Sequence, residues 1–321
     1  MKKFISTLLL IIFSIGIICV SMYFLFGPVG KSRDSILITV PQNAENFDIT
    51  RALEDEHLIK HPWLFRLFVA GKTIESGGYY FTSSMWMWQT ADKATGIPDL
   101  QWVTINGCLR REQIGEMIGK KLGWNQEKLD DWNNAYKNLQ PEYVEGVYYP
   151  DTYLIPVKES GAQVALRFIS HFNEMFAPYA EQFQDANIRW VTALKIASLI
   201  EREAGGISDM PLISGIIWNR LDKKMLLQID ATLQYTHGKN EDGSWWGSIN
   251  LSEKKSDSPY NSYMVKGLPP TPICSPSIAS IKAVLTPEET DCLFYLHDPN
   301  GQIHCAVTYE EHKENIEVYL K

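Results

Sequence analysis

Trp190 to Gly206 reads WVTALKIASLIEREAGG, and it puts one carboxylate where a carboxylate is poorly solvated. Asn187 just upstream is an N-cap residue type and Gly205-Gly206 a stop, which predicts a helix of roughly 16 residues. At about 100° per residue, Trp190, Leu194, Ala197 and Glu201 fall on one line along that helix. Lys195, Arg202 and Glu203 fall on another side, so Glu203 is expected to be an ordinary solvated acid while Glu201 ends an apolar stripe. An acid in that position is either paired with a cation or kept partly protonated by desolvation. The second state is that of a general acid near neutral pH. The alternative is a last-turn residue that reaches solvent past the helix end.

The chain has 321 residues, enough for two domains with separate cores. Its net charge of −8 argues against a nucleic-acid partner, which needs a basic face. Ten Trp and fifteen Tyr suit a neutral polymer such as a glycan, on which rings can stack. The run from Phe4 to Phe26 carries no charge and has the length of a bilayer-crossing helix. It is too long for a signal-peptide core, and Gly27-Pro28-Val29-Gly30 offers no cleavage pattern, so residues 1–26 read as an uncleaved anchor. Lys2 and Lys3 before it nearly balance Lys31 and Arg33 after it; the short basic N-terminus favours an N-in orientation with the remainder exported across the inner membrane. Cys19 sits in a poor lipobox. Cys108, Cys274, Cys292 and Cys305 could form two disulfides in an oxidising compartment, with no pairing set by their spacing. His57 and His61 read as a solvated helix end before Pro62. The residues call for no metal and no cofactor.

A linker at 27–34 leads to ILITV (36–40), a strand closed by Pro41, then a polar turn and an amphipathic helix from Ile49 to Ile59. The pattern recurs as QWVTI (101–105), a loop through Asn106-Gly107, and a helix from Arg111 to Leu122, a weak internal repeat. Between the copies lie a helix over 63–69, the strand GGYYF (77–81) and a helix around 85–95. Residues 35–123 thus form a small α+β module without clustered reactive groups, suited to binding and positioning. A helical connector spans 124–143, and 144–321 form a larger mixed α+β domain, so the fold class is α+β. That last part opens with VEGVYYPDTY (144–153), dense in aromatics and turn formers. Helices follow over 162–177, 190–206 and 213–221. LQIDATLQY (227–235) alternates and brings Gln228, Asp230 and Thr232 to one side if extended. Proline-fixed loops follow, then a helix at 277–285, a hairpin around Asp298-Pro299-Asn300-Gly301 and a last helix from near Tyr309.

In this order and spacing, ASLIEREAG around Glu201, NRL (219–221), LQIDATLQY, SPYNSY (258–263), GLPPTPICSP (267–276) and EEH (310–312) resemble the endolytic murein transglycosylase, or YceG-like, family. The resemblance covers about residues 144–312 strongly and 35–123 loosely. Ile105-Asn106-Gly107 stands where the family has a Pro-Glu-Gly type turn, and Lys313 replaces an Asn. The resemblance implies a single-pass anchor, a LysM-like module at 35–123 and a catalytic domain. It further implies cleavage of the MurNAc-β-1,4-GlcNAc bond of peptidoglycan strands with formation of 1,6-anhydro ends, in partnership with peptidoglycan synthases.

By motif, the catalytic glutamate falls on Glu201, acting as acid and then as base. Asp230 is a second carboxylate whose leading role is to orient its loop. Gln228, Thr232, Tyr235, Asn261 and Tyr263 either line the sugar cleft or support the loops. Trp245 and Trp246 either stack on sugars or pack back on the core. The rival readings are a catalytically silent peptidoglycan-binding scaffold and a lysozyme-like hydrolase.

Overall fold

The computed structural model describes residues 2–43, 47–139 and 141–321; part of the turn expected after Pro41 (44–46) and Gln140 of the expected connector lie outside the described residues. The chain folds into two compact units, Met1–Val103 with Tyr153–Glu159, and Thr104–Thr152 with Ser160–Lys321.

The first unit begins with α1 (Lys2–Phe26), whose Phe4–Phe26 segment is long and apolar enough to cross a membrane. It continues through β1 (Ile36–Val40), α2 (Ile49–Asp55), α3 (Pro62–Val69), β2 (Gly77–Phe81), α4 (Met87–Ala94) and β3 (Leu100–Thr104), and recovers the chain at β4 (Thr152–Pro156). The sheet order is β1-β2-β3-β4, with β1 and β2 antiparallel from Ile36 opposite Phe81 to Val40 opposite Gly77. Tyr79 and Phe81 turn inward from β2 and pack with Val40, Leu53, Phe65 and Ala94. Gly77 is required by close approach: a Cβ there would stand 2.5 Å from the Leu100 carbonyl oxygen. Two expectations change. The helix from Ile49 ends at Asp55 instead of Ile59, because His57 takes a left-handed φ of 52° and the Leu58 N–H returns to the Leu53 carbonyl. The strand β4 was hidden in the sequence, since it ends on Pro156 and its neighbour β3 lies far back in the chain.

The second unit contains α5 (Arg111–Leu122) and α6 (Gln126–Asn134), assigned from sequence to the N-terminal module and the connector. With α7 (Gly161–Asp185) they enclose Trp132, which has no exposed surface and donates its indole N–H to the Arg111 carbonyl at 3.0 Å. Gly161 permits this packing, since a Cβ there would lie 2.2 Å from the Lys128 carbonyl oxygen. The predicted stop at Ala177 does not occur, and α7 runs through Pro178 to Asp185. Pro178 forfeits one backbone hydrogen bond, but Phe176 and Phe183 stack at 5.4 Å across it and hold both halves in the core.

Next comes α8 (Trp190–Glu203), followed by α9 (Met210–Asp222), α10 (Asp230–His237) and α11 (Ile278–Leu285). Asn187 is not the cap of α8. It has a left-handed φ of 55° and closes α7, and Arg189 takes the cap position of α8. From Ala193 to Ile200 every residue of α8 except Lys195 is buried, and α7, α9, α10 and α11 all pack on it. A hairpin of β5 (Phe294–His297) and β6 (Ile303–Ala306), carrying α12 (Tyr309–Tyr319), completes the unit. Cys108 pairs with Cys274 and Cys292 with Cys305, while Cys19 is free.

One buried acid anchors the start of α5. Arg110 offers no side-chain cap there; instead Glu145, 1% exposed, accepts the Arg111 N–H at 3.2 Å on both oxygens and the Gly146 N–H at 3.2 Å. Burial, reinforced by the Glu112 carboxylate and opposed by Arg111, pushes its carboxyl up to about 8. Between the ordinary value of 4.5 and about 8 the folded chain keeps a proton that the unfolded chain has released, so stability falls as pH rises across that window. The slope contributed is at most ~1.4 kcal/mol per pH unit. Glu145→Gln, which cannot ionise, should therefore gain on the parent as pH climbs from about 5 to 8. Thermal melts of both proteins across that series check this; parallel profiles would refute it.

Candidate active site

Glu201 occupies the last turn of α8 and is partly exposed. Its Oε2 accepts two hydrogen bonds from one residue, the Ser277 N–H at 3.2 Å and the Ser277 hydroxyl at 2.6 Å. No cation pairs with it among the described residues. Ser277 is also the N-cap of α11, where its hydroxyl oxygen accepts the Ser280 N–H. Thus Oε2 sits against a helix N-terminus, a favourable place for a carboxylate oxygen. A Cβ on Gly107 would stand 3.9 Å from Oε1, which accepts no hydrogen bond among the described residues. Tyr149 lies nearby: burial raises its phenol, and the carboxylates of Asp151 and Glu201 add to that effect.

The loop that delivers Ser277 is fixed from below. One turn before Glu201, fully buried Ser198 accepts the Ile273 N–H at 3.1 Å on its hydroxyl oxygen. The Ser275 N–H donates to the Leu109 carbonyl at 3.0 Å, and Cys274 is bonded to Cys108 beside it. Sequence reasoning passed over Ser277. Its only local signal is a serine in N-cap position before a predicted helix, and nothing in the linear chain connects it to Glu201.

Glu203 departs from its expected solvated state. Its Oε2 accepts the Tyr295 hydroxyl at 2.6 Å, and burial, with Asp230 adding to it, raises the carboxyl above its usual range. The hairpin covers that side of the helix end, which a helical wheel cannot anticipate. His297, two residues on, meets Asp209 at 3.1 Å, and Asp209 accepts the Gly205 N–H. Arg202 is likewise half-buried, its guanidinium 4.1 Å from the centre of the Trp246 ring.

The remaining sequence-derived candidates separate into two groups. LQIDATLQY is not extended: Asp230 opens α10, so Gln228, Asp230 and Thr232 do not share a side. Gln228 is exposed with a left-handed φ of 56°, and its N–H donates to the Ser262 carbonyl. Asp230 is exposed, accepts a hydrogen bond from the Tyr263 hydroxyl and lies 3.3 Å from the Lys254 ammonium, which donates to the same phenol at 2.9 Å. These residues form a polar surface cluster. Thr232 and Asn261, in contrast, have no exposed surface. Thr232 donates to the Ile229 carbonyl at 2.7 Å; the Asn261 amide donates to the Lys254 and Ser256 carbonyls and accepts the Tyr263 N–H. Tyr235 lies under the Arg110 guanidinium at 4.3 Å, its hydroxyl directed at Glu145. Both tryptophans pack back on α5: Trp245 donates to Glu116 and Trp246 to Gln113.

A groove of about 480 Å³ lined by Phe172, Phe176, Phe183 and Trp190 lies at the other end of α8. Trp190 and Glu201 are eleven residues apart, roughly 16 Å along the axis, so this groove is not where the carboxylate acts.

Residues 38–318 match the sequence pattern of the YceG-like family. The chain is 28% identical to the endolytic murein transglycosylase of Bacillus subtilis (strain 168), over 92% of this chain and 90% of that protein. It is 27% identical to the endolytic murein transglycosylase of Streptococcus pneumoniae (strain D39), over 89% of this chain but only 58% of that longer protein. The crystal structure of a YceG-like protein from Listeria monocytogenes, 24% identical, superposes with a TM-score of 0.62 over 88% of this chain and 99% of that one, a likeness of fold. With this pattern running through both units and the same fold in a second chain, the protein belongs to the YceG-like family.

Proposed function

We propose that this chain is a membrane-anchored endolytic lytic transglycosylase of peptidoglycan. Glu201 would serve as its general acid and then its general base. The observation that carries the reading is the unequal treatment of the two Glu201 oxygens. Ser277 holds Oε2 twice, while Oε1 is left beside Gly107 for a proton in transit. Oε1 protonates the glycosidic oxygen of the MurNAc-β-1,4-GlcNAc bond as the C1–O bond breaks and C1 becomes oxocarbenium-like. The resulting carboxylate takes the proton of the muramyl C6 hydroxyl, whose oxygen bonds to C1 and closes the 1,6-anhydro ring. One proton leaves Glu201 and one returns, and no water enters. Of the neighbouring carboxylates, Glu203 is turned to the Tyr295 hydroxyl under the hairpin, and Asp230 to Tyr263 and Lys254 on the surface. Asp230, Thr232, Asn261 and Tyr263 then act as loop-orienting residues, and Gln228 as a sugar contact.

In the same reading α1 anchors the chain in the inner membrane with its N-terminus in the cytoplasm. The first unit is a LysM-like glycan-positioning module, and synthases of the strand are neighbours at the membrane. The murein transglycosylase activity of the Bacillus subtilis and Streptococcus pneumoniae relatives supports the substrate class.

Two experiments test the chemistry. Glu201→Gln keeps shape but can neither give nor take the proton, so release of anhydro-ended fragments from purified glycan strands should fall about 10²–10⁴-fold. Release at the parental rate sinks the assignment; ordinary reducing ends from the parent would indicate a hydrolase, and no new ends a scaffold. Ser277→Gly retains the N–H and a residue tolerated at an N-cap but loses the hydroxyl donor. A hydrogen bond to a charged group contributes ~1.5–3 kcal/mol, so kcat should fall about tenfold or more with KM nearly unchanged, and the fold should lose at most that much stability. A rise in KM alone would show that Ser277 serves binding instead.

A further inference from the structure

The first unit carries an apolar surface that the proposed chemistry does not use. PWLFRLFV, the sequence of α3, has one polar residue, Arg66, whose charge is paired with Asp48 at 2.8 Å. Phe65 points into the core with no exposed surface. On the opposite face Trp63 and Leu67, one turn apart, are 63% and 66% exposed. An apolar helix face left open in this way calls for a non-aqueous neighbour.

The position of α3 relative to α1 identifies that neighbour. At the start of α3, the His61 ring Nε2 lies 3.2 Å from the Phe24 carbonyl oxygen; near its end, the Phe68 ring meets Phe26 edge-on at 5.9 Å. Both ends of α3 therefore touch the last turn of the membrane-length segment, and the helix lies across the foot of α1 instead of leading away from it. The surroundings have the composition of a membrane boundary. Tyr23 packs edge-on to Trp86, which stacks on Trp88 at 4.7 Å. The Lys60 ammonium stands 4.8 Å over the Tyr23 ring.

We propose that α3 is an interfacial helix whose Trp63 and Leu67 insert into the headgroup–acyl boundary of the bilayer that α1 crosses. The inference rests on α1 being a membrane anchor. An amphipathic ring at the headgroup level and an aliphatic side chain below it are the residues that boundary accepts. The consequence is mechanical: the first unit is held against the bilayer at two points, α1 and α3, instead of swinging on the linker after Phe26.

The full chain in phosphatidylcholine nanodiscs, spin-labelled at single cysteines, tests this. One label goes on the native free thiol of Cys19; others go on Trp63→Cys and Leu67→Cys in a Cys19→Ser background. Collision with oxygen, which concentrates in lipid, is compared with collision with a water-soluble nickel chelate. The expected result is a label at 19 with negligible access to the chelate, and labels at 63 and 67 more accessible to oxygen than to the chelate but shallower than 19. Aqueous behaviour at 63 and 67 with a lipid-buried 19 overturns the inference and leaves the anchor intact. Shielding of 63 and 67 from both reagents also overturns it, because the face is then covered by protein. An aqueous label at 19 removes the anchor and this inference together.

Discussion

Burial of α8 on every face is the constraint on which the second unit depends. Leu194, Ile196, Leu199 and Ile200 have no exposed surface, and burying each such side chain is worth ~1.5–3 kcal/mol. Four other helices meet on this one, so its axis and rotation are set by packing on all sides. Glu201 stands where the helix runs out of neighbours, and its position inherits that rigidity. A proposed acid–base group gains from such a support, because proton transfer requires placement within tenths of an ångström.

Packing places the backbone of Glu201, but hydrogen bonds from 76 residues further along orient its carboxylate. Ser277 reaches it because its loop is secured at three consecutive points, by the Ser198 hydroxyl, the Cys108–Cys274 pair and the Leu109 carbonyl. Prolines at 269, 270, 272 and 276 stiffen the same loop, so little conformational freedom remains to be lost when it docks. A serine at a helix N-cap commonly serves its own helix. Here its oxygen accepts from α11 while its hydrogen is donated to α8, which joins the two helices through one side chain.

Charged groups near the site are distributed according to what covers them. Glu203, two residues from Glu201, falls under the β5–β6 hairpin and takes the Tyr295 hydroxyl, while Glu145 is enclosed beneath α5 as a distant cap. Each of these carboxylates, the buried Glu145 and the half-buried Glu203, has its own donor. Glu201, partly exposed in the last turn of α8, keeps Oε1 without a hydrogen-bond donor among the described residues.

Most of the helices and strands in their order, the membrane-length segment and the hairpin at Asp298–Gly301 are legible in the sequence. They follow from local periodicity and turn chemistry, which a linear chain carries within a dozen residues. Tertiary structure alone decided the rest. Pro178 does not end α7, because stacked phenylalanines hold both halves. Asp230 begins a helix where alternation predicted an extended segment, and Thr232 and Asn261 are sealed inside. Glu203 is covered by a hairpin some ninety residues away, and β4 exists because β3 offers it an edge. Ser277 meets Glu201 through a loop pinned by a cysteine pair that spacing could not assign. For Glu203, β4 and Ser277 the deciding partner is distant in sequence, and its contact outweighs a local preference of about a kcal/mol or less.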